Sequence, residues 1–127
     1  MANEPVLTAN APAPIGPYSQ AIRSGNELYV SGQIAIDPAT GEVVAGDVME
    51  QTEQVLKNLC AVVKQAGFEF EDIVKTTIYL MDMYDFTAVN TIYSKYFGVI
   101  KPARSTVAVA GLPKGVRIEI DAIARKN

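Results

Sequence analysis

The sequence predicts a single α+β domain in which two helices cover one face of a β-sheet. A chain of 127 residues suits one compact domain with one core, which we place over residues 1–127. Two segments repeat apolar residues at helical spacing, and the other apolar segments alternate with the period of a strand. The predicted element order is therefore β-β-α-β-α-β-β.

The N-terminal part is predicted to be an irregular arm followed by a hairpin. Residues 1–17 contain four prolines and little periodicity, and the arm ends in "IGPYSQA". The next segment, "AIRSGNELYVSGQIAI", predicts strands at 21–23 and 28–34 with a turn at Gly25-Asn26. "DPATGEV" follows as a surface turn because proline and glycine punctuate it.

The clearest helix is predicted within "GDVMEQTEQVLKNLCAVVKQAG". Asp47 is placed to cap its start, Glu50 three residues later completes a capping-box pattern, and Gly67 ends the helix. Its apolar face consists of Val48, Val55, Leu59, Val62 and Ala66. Cys60 lies beside that face, where we expect a small, partly buried side chain without a chemical role.

A strand and a second helix follow. "EDIVKTTIYLMD" alternates two sets, Val74, Thr76, Ile78 and Leu80 against Lys75, Thr77, Tyr79 and Met81. In "MYDFTAVNTIYSKYFG" the apolar positions at helical spacing are Phe86, Val89, Tyr93 and Phe97. Asp82 or Asp85 can cap this helix and Gly98 ends it, so the aromatic residues are expected to pack in the core.

Two C-terminal strands complete the sheet. "KPARSTVAVAGLP" predicts a short apolar strand, and "VRIEIDAIA" follows the "LPKG" turn. On the last strand one predicted face holds Val116, Ile118, Ile120, Ala122 and Ala124, and the other holds Arg117, Glu119, Asp121 and Ile123. Two helices cover only one sheet face, so we expect an oligomer to cover the apolar residues of the other.

Composition excludes several classes of function. A net charge of −3 without a basic run argues against a nucleic-acid partner. The chain has no apolar window of membrane-spanning length, and "MANEPVLTANAPAP" does not resemble a signal peptide, so we expect a cytoplasmic protein without a membrane partner. With no histidine, one cysteine and no phosphate-cradling glycine loop, we expect neither a metal nor an organic cofactor.

Two charged residues stand out on the C-terminal strands. Arg104 enters an apolar strand directly after "KPA", and Glu119 lies on the last strand, which is taken as its neighbour. A buried guanidinium needs a negative partner. Either these two residues are structural, as an ion pair with each other or as caps of a strand edge, or Arg104 binds an anionic ligand. Three further groups are candidates: Tyr18 on a Gly-Pro turn, Ser31-Gly32 at a predicted strand end, and Asn90 on the apolar helix face.

The segments "IGPYSQA", "VSGQI", "VKTTIYLMDMYDF", "PARSTV" and "VRIEIDAIA" together resemble the reactive intermediate deaminase A family, RidA, formerly YjgF. The resemblance covers residues 9–124. It implies a chorismate-mutase-like fold with a mixed sheet and two helices on one face. It also implies a homotrimer built around a central β-barrel, with a site in each cleft between subunits. Family members hydrolyse enamines and imines, such as 2-aminoacrylate, released by pyridoxal-phosphate dehydratases.

The resemblance also assigns roles to residues. The arginine that binds the substrate carboxylate matches Arg104, and the glutamate that holds or activates water matches Glu119. The catalytic tyrosine matches Tyr18. The remaining substrate-binding positions match Ser31, Gly32, Asn90 and Thr106. Many family members have a cysteine where this chain has Thr106, so thiol chemistry is lost there while main-chain contacts can remain.

The chemistry fits the composition. An imine carbon is already electrophilic, so its hydrolysis needs a fixed substrate, an oriented water and a proton acceptor, but no metal or covalent nucleophile. The expected activity is that of a 2-iminobutanoate/2-iminopropanoate deaminase. Alternatives stay open: a non-catalytic module that binds 2-oxo acids or amino acids in the same cleft, an RNA-directed protein, or a chaperone-like one.

Overall fold

A computed structural model describes residues 2–127 of the chain; Met1, where the predicted domain and arm begin, lies outside the described residues. The elements are β1 (Glu4–Val6), β2 (Ala21–Ser24), β3 (Glu27–Gln33), β4 (Ile36–Asp37), β5 (Glu42–Val43), α1 (Val48–Gln65), β6 (Ile73–Leu80), α2 (Phe86–Phe97), β7 (Ala103–Ala108) and β8 (Ile118–Arg125). The fold is α+β, with a sheet of six strands in the order β1-β2-β3-β8-β6-β7 and a separate two-stranded hairpin, β4-β5.

The sheet is mixed, as the resemblance implied. β6 and β7 are parallel because α2 connects them as a crossover, and every other pair of neighbouring strands is antiparallel. β8, the last strand, lies between β3 and β6 in the middle of the sheet. β7 is an edge strand, so β7 and β8 are not neighbours as the sequence suggested.

Local signals define both ends of α1 as predicted, although among residues 2–127 the Glu50 side chain does not complete the predicted capping box. The Asp47 carboxylate accepts hydrogen bonds from the backbone amides of Met49 and Glu50 at 3.0 and 3.1 Å. At the other end Gly67 adopts a positive φ of 83°, and the amide of Phe68 donates to the carbonyl of Val63. This is the arrangement in which a glycine closes the last helical turn.

Both helices pack against one face of the sheet, and the core lies between them. The predicted apolar face of α1 and the apolar face of β8 are buried in this layer, whereas Val116, which lies before β8, packs with Ile34 and Ile36 in a separate small cluster. On β6 the prediction was wrong at one position, because a bulge between Ile73 and Lys75 leaves Val74 47% exposed and puts Ile73 in the core.

The N-terminal arm is more regular than predicted. Residues Glu4–Val6 form an edge strand that pairs with β2. The buried Gln20 side chain then holds the arm, accepting from the amide of Thr8 at 2.7 Å and donating to the carbonyls of Thr8 and Pro12 at 3.0 and 2.9 Å. The predicted "DPATGEV" turn is the loop of the β4-β5 hairpin, with Gly41 at a φ of 76°.

The sheet face opposite the helices carries apolar side chains without cover in this chain. Tyr29 on β3 is 45% exposed, Val107 on β7 is 42% exposed, and Tyr79 and Ile123 between them are partly buried. We call this surface the open face. Within residues 2–127, the helices are too short or too polar to cross a membrane.

Candidate functional site

Arg104 is presented at the surface by the edge strand β7. The sequence suggested a core-like strand, but β7 is largely exposed because only β6 pairs with it. The guanidinium lies 4.9 Å from the ring centre of Tyr93 and 5.5 Å from that of Phe86, both on α2. One of its amino groups donates to the side-chain oxygen of Asn90 at 2.7 Å. These contacts orient the planar group and leave other N–H donors free for a ligand.

A cavity of about 310 Å³ lies beside Arg104, between α2 and the start of β7. Its lining includes Asn90, Lys101 and Pro102. Both charged groups on this lining are cations, and no carboxylate lines it. The cavity therefore suits a small anion, and the planar fork of arginine matches a carboxylate.

Glu119 lies in a different cavity, on the open face. This second cavity measures about 370 Å³ and is lined by Tyr18, Gly32 and Pro113, with Ile15 and Ile34 as its apolar walls. Burial raises the pKa of the Glu119 carboxyl above its ordinary value, and the negative charge of Asp121 raises it further. A carboxylate with a raised pKa is a stronger proton acceptor near neutral pH.

Gly32 makes room for the Glu119 side chain. Ser31 and Gly32 lie inside β3, at a bulge between Val30 and Gln33, and do not end the strand as predicted. A β-carbon built on Gly32 would lie 2.7 Å from Cδ of Glu119, a distance that real side chains do not tolerate. The Ser31 hydroxyl donates to the carbonyl of Ser19 at 2.6 Å, which ties β3 to the segment carrying Tyr18.

Tyr18 borders the Glu119 cavity on a tight turn, as the Gly-Pro signal predicted. Its amide donates to the carbonyl of Gly16 at 2.8 Å, and its hydroxyl accepts a long hydrogen bond of 3.4 Å from the amide of Ile15. The side chain is 48% exposed. Its hydroxyl therefore stands at the rim, where a ligand can replace that weak bond.

Thr106 lies two residues beyond Arg104 on β7, beside the buried Ile78 of β6. Its hydroxyl oxygen is buried and has no hydrogen-bond partner in the described part of the chain. The outer edge of β7 pairs with no strand among residues 2–127. Its backbone groups are therefore free for a ligand or another chain.

The two charged candidates face opposite sides of the sheet. Arg104 is in register with Thr76, which is buried under α2, whereas Glu119 is in register with Tyr79 on the open face. β6 separates their strands. The ion pair left open by the sequence is not formed within residues 2–127, where the one salt bridge joins Arg117 to Asp85.

That salt bridge is a contact the sequence analysis missed. Arg117 was placed on the outer face of the last strand, but it lies before β8 and grips Asp85 with two hydrogen bonds of 3.0 and 2.7 Å. Its amide also donates to the Gln51 side chain at 2.9 Å. The pair joins α1, the start of α2 and β8, so its role is structural. The sequence signal that could have indicated this contact was Asp85, an acidic residue at the start of α2.

The described residues contain no group of three or more His, Cys, Asp or Glu side chains able to hold a metal ion. Cys60 is partly buried on α1, as predicted.

Residues 8–126 match the family model described as Endoribonuclease L-PSP. The chain belongs to this family. It is the RidA or YjgF family identified from the motifs, and its structural neighbours include a member of the conserved Rid protein family.

Relatives of this RidA chain carry two kinds of name. A RutC family protein of Pyrococcus horikoshii is 56% identical over 98% of both chains. A mouse 2-iminobutanoate/2-iminopropanoate deaminase is 50% identical over 94% of this chain and 88% of its own.

Solved RidA-family structures share the whole fold. YyfA of Yersinia pestis superposes with a TM-score of 0.95 at 52% identity, covering 98% of this chain and all of YyfA. TdcF of E. coli, solved with bound serine, superposes with a TM-score of 0.93 at 41% identity, covering 98% of this chain and 99% of its own.

Proposed function

We propose that this RidA chain hydrolyses reactive enamines and imines that carry a carboxylate, such as 2-aminoacrylate and its imine tautomer, to 2-oxo acids and ammonia. The name of the mouse relative supports a 2-iminobutanoate/2-iminopropanoate deaminase activity. The bound serine of TdcF, an amino acid with a free carboxylate, supports the ligand class.

The observation that carries the proposal is the state of Arg104. Its guanidinium is exposed, lies within cation–π distance of two aromatic rings, donates to Asn90, and has no carboxylate partner within the described residues. Such an arrangement preorganises a charged donor for a ligand before the ligand arrives. A substrate carboxylate supplies the missing negative charge and takes a bidentate geometry that lysine cannot offer.

One copy of the chain cannot bring Arg104 and Glu119 to the same substrate, because they lie on opposite sheet faces. A second copy can, if its exposed β7 edge approaches the open face. Repetition of this contact around a three-fold axis gives a closed homotrimer with the open faces turned inward. The same contact covers the apolar side chains of the open face, so we propose the trimer as the working form.

Glu119 then manages the protons of the reaction. Its carboxylate takes a proton from water as the water oxygen bonds to the imine carbon and the C=N electron pair moves to nitrogen. The protonated Glu119 next gives this proton to the nitrogen, and as the C–N bond breaks the hydroxyl proton passes to the departing NH2 group, so the products are the 2-oxo acid and ammonia. Arg104 of the second copy binds the substrate carboxylate throughout the reaction.

The other candidates take supporting roles in this scheme. Tyr18 closes the Glu119 cavity and offers its hydroxyl to the substrate nitrogen or the water. Gly32 leaves room for the Glu119 carboxylate because it has no side chain. The Ser31 hydroxyl holds β3 against the segment that carries Tyr18. Asn90 orients Arg104. Thr106 contributes the unpaired backbone groups of the β7 edge.

A coupled assay tests the function. In the assay a pyridoxal-phosphate serine or threonine dehydratase generates the intermediate, and release of the 2-oxo acid is followed with and without this protein. We expect the same supply of substrate in the cytoplasm. Acceleration that is lost in Arg104→Ala supports the proposal. Tight 2-oxo acid binding without acceleration indicates the non-catalytic alternative instead. Light scattering on the same sample tests the trimer.

The family description also names an RNA activity, and the same preparation can test it. We expect no RNA cleavage or binding, because a net charge of −3 without a basic stripe offers no extended surface for a nucleic-acid backbone. RNA cleavage that persists in Arg104→Ala and co-elutes with the trimer in gel filtration would show a separate activity.

A further inference from the structure

A hydrogen-bonded pair of side chains lies beside Glu119 on the open face. The hydroxyl of Tyr79 on β6 donates to the Asp121 carboxylate on β8 at 2.9 Å. Glu119 and Asp121 are two residues apart on the same face, about 7 Å along the strand. Tyr79 is the direct cross-strand neighbour of Glu119, yet its hydroxyl reaches past Glu119 to Asp121. The Glu119 and Asp121 carboxyl groups are thus close together, and the hydrogen bond from Tyr79 fixes that of Asp121.

We propose that Tyr79 and Asp121 form a positioning pair for Glu119, in which the Tyr79 hydroxyl fixes the Asp121 carboxylate and the fixed negative charge makes Glu119 the stronger proton acceptor for the attacking water. The inference rests on the proposed hydrolysis and deepens it. Neither residue of the pair touches the substrate.

Asp121 is the charged group of the same chain that raises the pKa of Glu119, in addition to the larger effect of burial. On β3 the neighbours of Glu119 are Ser31 and Gly32, which carry no charge, and Tyr18 and Pro113 complete the cavity. On β6 the ammonium of Lys75 donates to the Ser105 hydroxyl on β7 at 3.2 Å, away from Glu119. In the proposed trimer Arg104 of a second copy also faces Glu119, and its attraction for the carboxylate opposes the effect of Asp121.

The electrostatics agree with the geometry. Burial and, to a smaller extent, the charge of Asp121 raise the pKa of Glu119, and the hydrogen bond to Asp121 raises the pKa of Tyr79, so Tyr79 stays protonated as the donor. Water attack needs Glu119 ionised but basic, and the nitrogen then needs the proton back. A carboxyl with a raised pKa serves both steps better than an ordinary glutamate.

The test compares the pH dependence of kcat in four variants. Asp121→Asn keeps the shape and removes the charge, so the acid limb that reports Glu119 should move to lower pH. Asp121→Glu keeps the charge and should restore a limb near the wild-type position. Tyr79→Phe frees the Asp121 carboxylate and should move the limb in the same direction as Asp121→Asn, by less. KM should change little in all three.

The matched control is another tyrosine–carboxylate pair on the open face. The Tyr29 hydroxyl donates to the Glu27 carboxylate at 2.8 Å on β3, away from Glu119. Tyr29→Phe should leave the acid limb in place. A limb that stays unmoved in Asp121→Asn, or that moves as far in Tyr29→Phe, overturns the inference.

A second readout separates this inference from the proposed function. Carbon-13 NMR titration of the Glu119 carboxyl needs no turnover. Its titration midpoint should fall in Asp121→Asn and recover in Asp121→Glu, even if the assay shows no hydrolysis. Unchanged midpoints in variants that remain folded and trimeric refute the pair, and a shifted midpoint without any turnover in the wild type refutes the hydrolysis instead.

Discussion

Arg104 and Glu119 point to opposite faces of one sheet, with strand β6 between their strands. Arg104 is in register with Thr76 on the helix side, and Glu119 with Tyr79 on the open face. Tyr79 is three positions beyond Thr76 on β6, and side chains on a strand alternate between faces, so no rotamer change brings the two charges together in one chain. A shared site needs a second copy.

Subunit mixing gives the first prediction. Arg104→Ala and Glu119→Gln should each be inactive alone, but copies mixed by unfolding and refolding at equal amounts should recover about a quarter of wild-type activity. The reason is statistical, since about one in four interfaces of a mixed ring pairs an intact Arg104 with an intact Glu119. Each variant refolded alone is the control. No recovery in confirmed mixed trimers would contradict the shared site.

The second prediction separates the two roles. Arg104→Lys keeps the charge but loses the fork, and losing one charge-assisted hydrogen bond of roughly 1.5–3 kcal/mol should reduce kcat/KM about ten- to a hundredfold. Binding of a stable 2-oxo acid should weaken in parallel. Glu119→Gln should reduce turnover roughly a hundredfold or more while 2-oxo acid binding stays near normal.

Calorimetric binding and steady-state kinetics on both variants measure this separation. Thermal midpoints serve as the control for folding. If both variants bind the 2-oxo acid normally and lose only stability, the two residues are structural and the proposed site is wrong.

Gly32→Ala gives the third prediction. The new methyl group would overlap the Glu119 carboxylate, which must move. Turnover should fall by roughly tenfold or more because a displaced base no longer meets the water in line. Gly111→Ala is the matched control, since a β-carbon there meets no atom within 4 Å. Equal effects of the two substitutions on kcat would show that the close approach of Glu119 to Gly32 is unimportant.

A pH-dependent stability difference is the fourth prediction. The raised pKa of Glu119 means that the folded state holds its proton more tightly than the unfolded chain does. This contribution is present in full below the ordinary glutamate pKa and is lost as pH rises through the raised value. Glu119→Gln cannot ionise, so its Tm relative to wild type should increase with pH over that window. A Tm difference that is constant with pH would contradict the raised pKa.

The fifth prediction concerns the Arg117–Asp85 pair. Arg117→Ala leaves the carboxylate of Asp85, which is 8% exposed, without its cation. The free energy of unfolding should fall by about 1–2 kcal/mol, a modest value because the arginine is partly exposed. Arg117→Ala combined with Asp85→Asn should recover part of the loss in denaturant titrations. Activity per folded molecule should stay near that of wild type.

Sequence periodicity by itself determined most of the elements. The α1 cap at Asp47, the Gly67 terminus and the buried face of β8 are local consequences of spacing and backbone preference, so they were predictable. The motifs around Tyr18, Arg104 and Glu119 also identified the family, because the residues that carry chemistry stand in a fixed order along the chain.

Tertiary structure alone decided which side chains meet. Pairing β8 between β3 and β6 left β7 at the edge, exposed Arg104 and put Glu119 on the other face. A bulge in β3 keeps Ser31 and Gly32 inside the strand, where Gly32 makes room for the Glu119 side chain. A bulge in β6 buries Ile73 in the core and leaves Val74 exposed. Strand order and bulges depend on contacts between distant segments. A periodic pattern along the chain records which residues are apolar, but not which strand lies beside them.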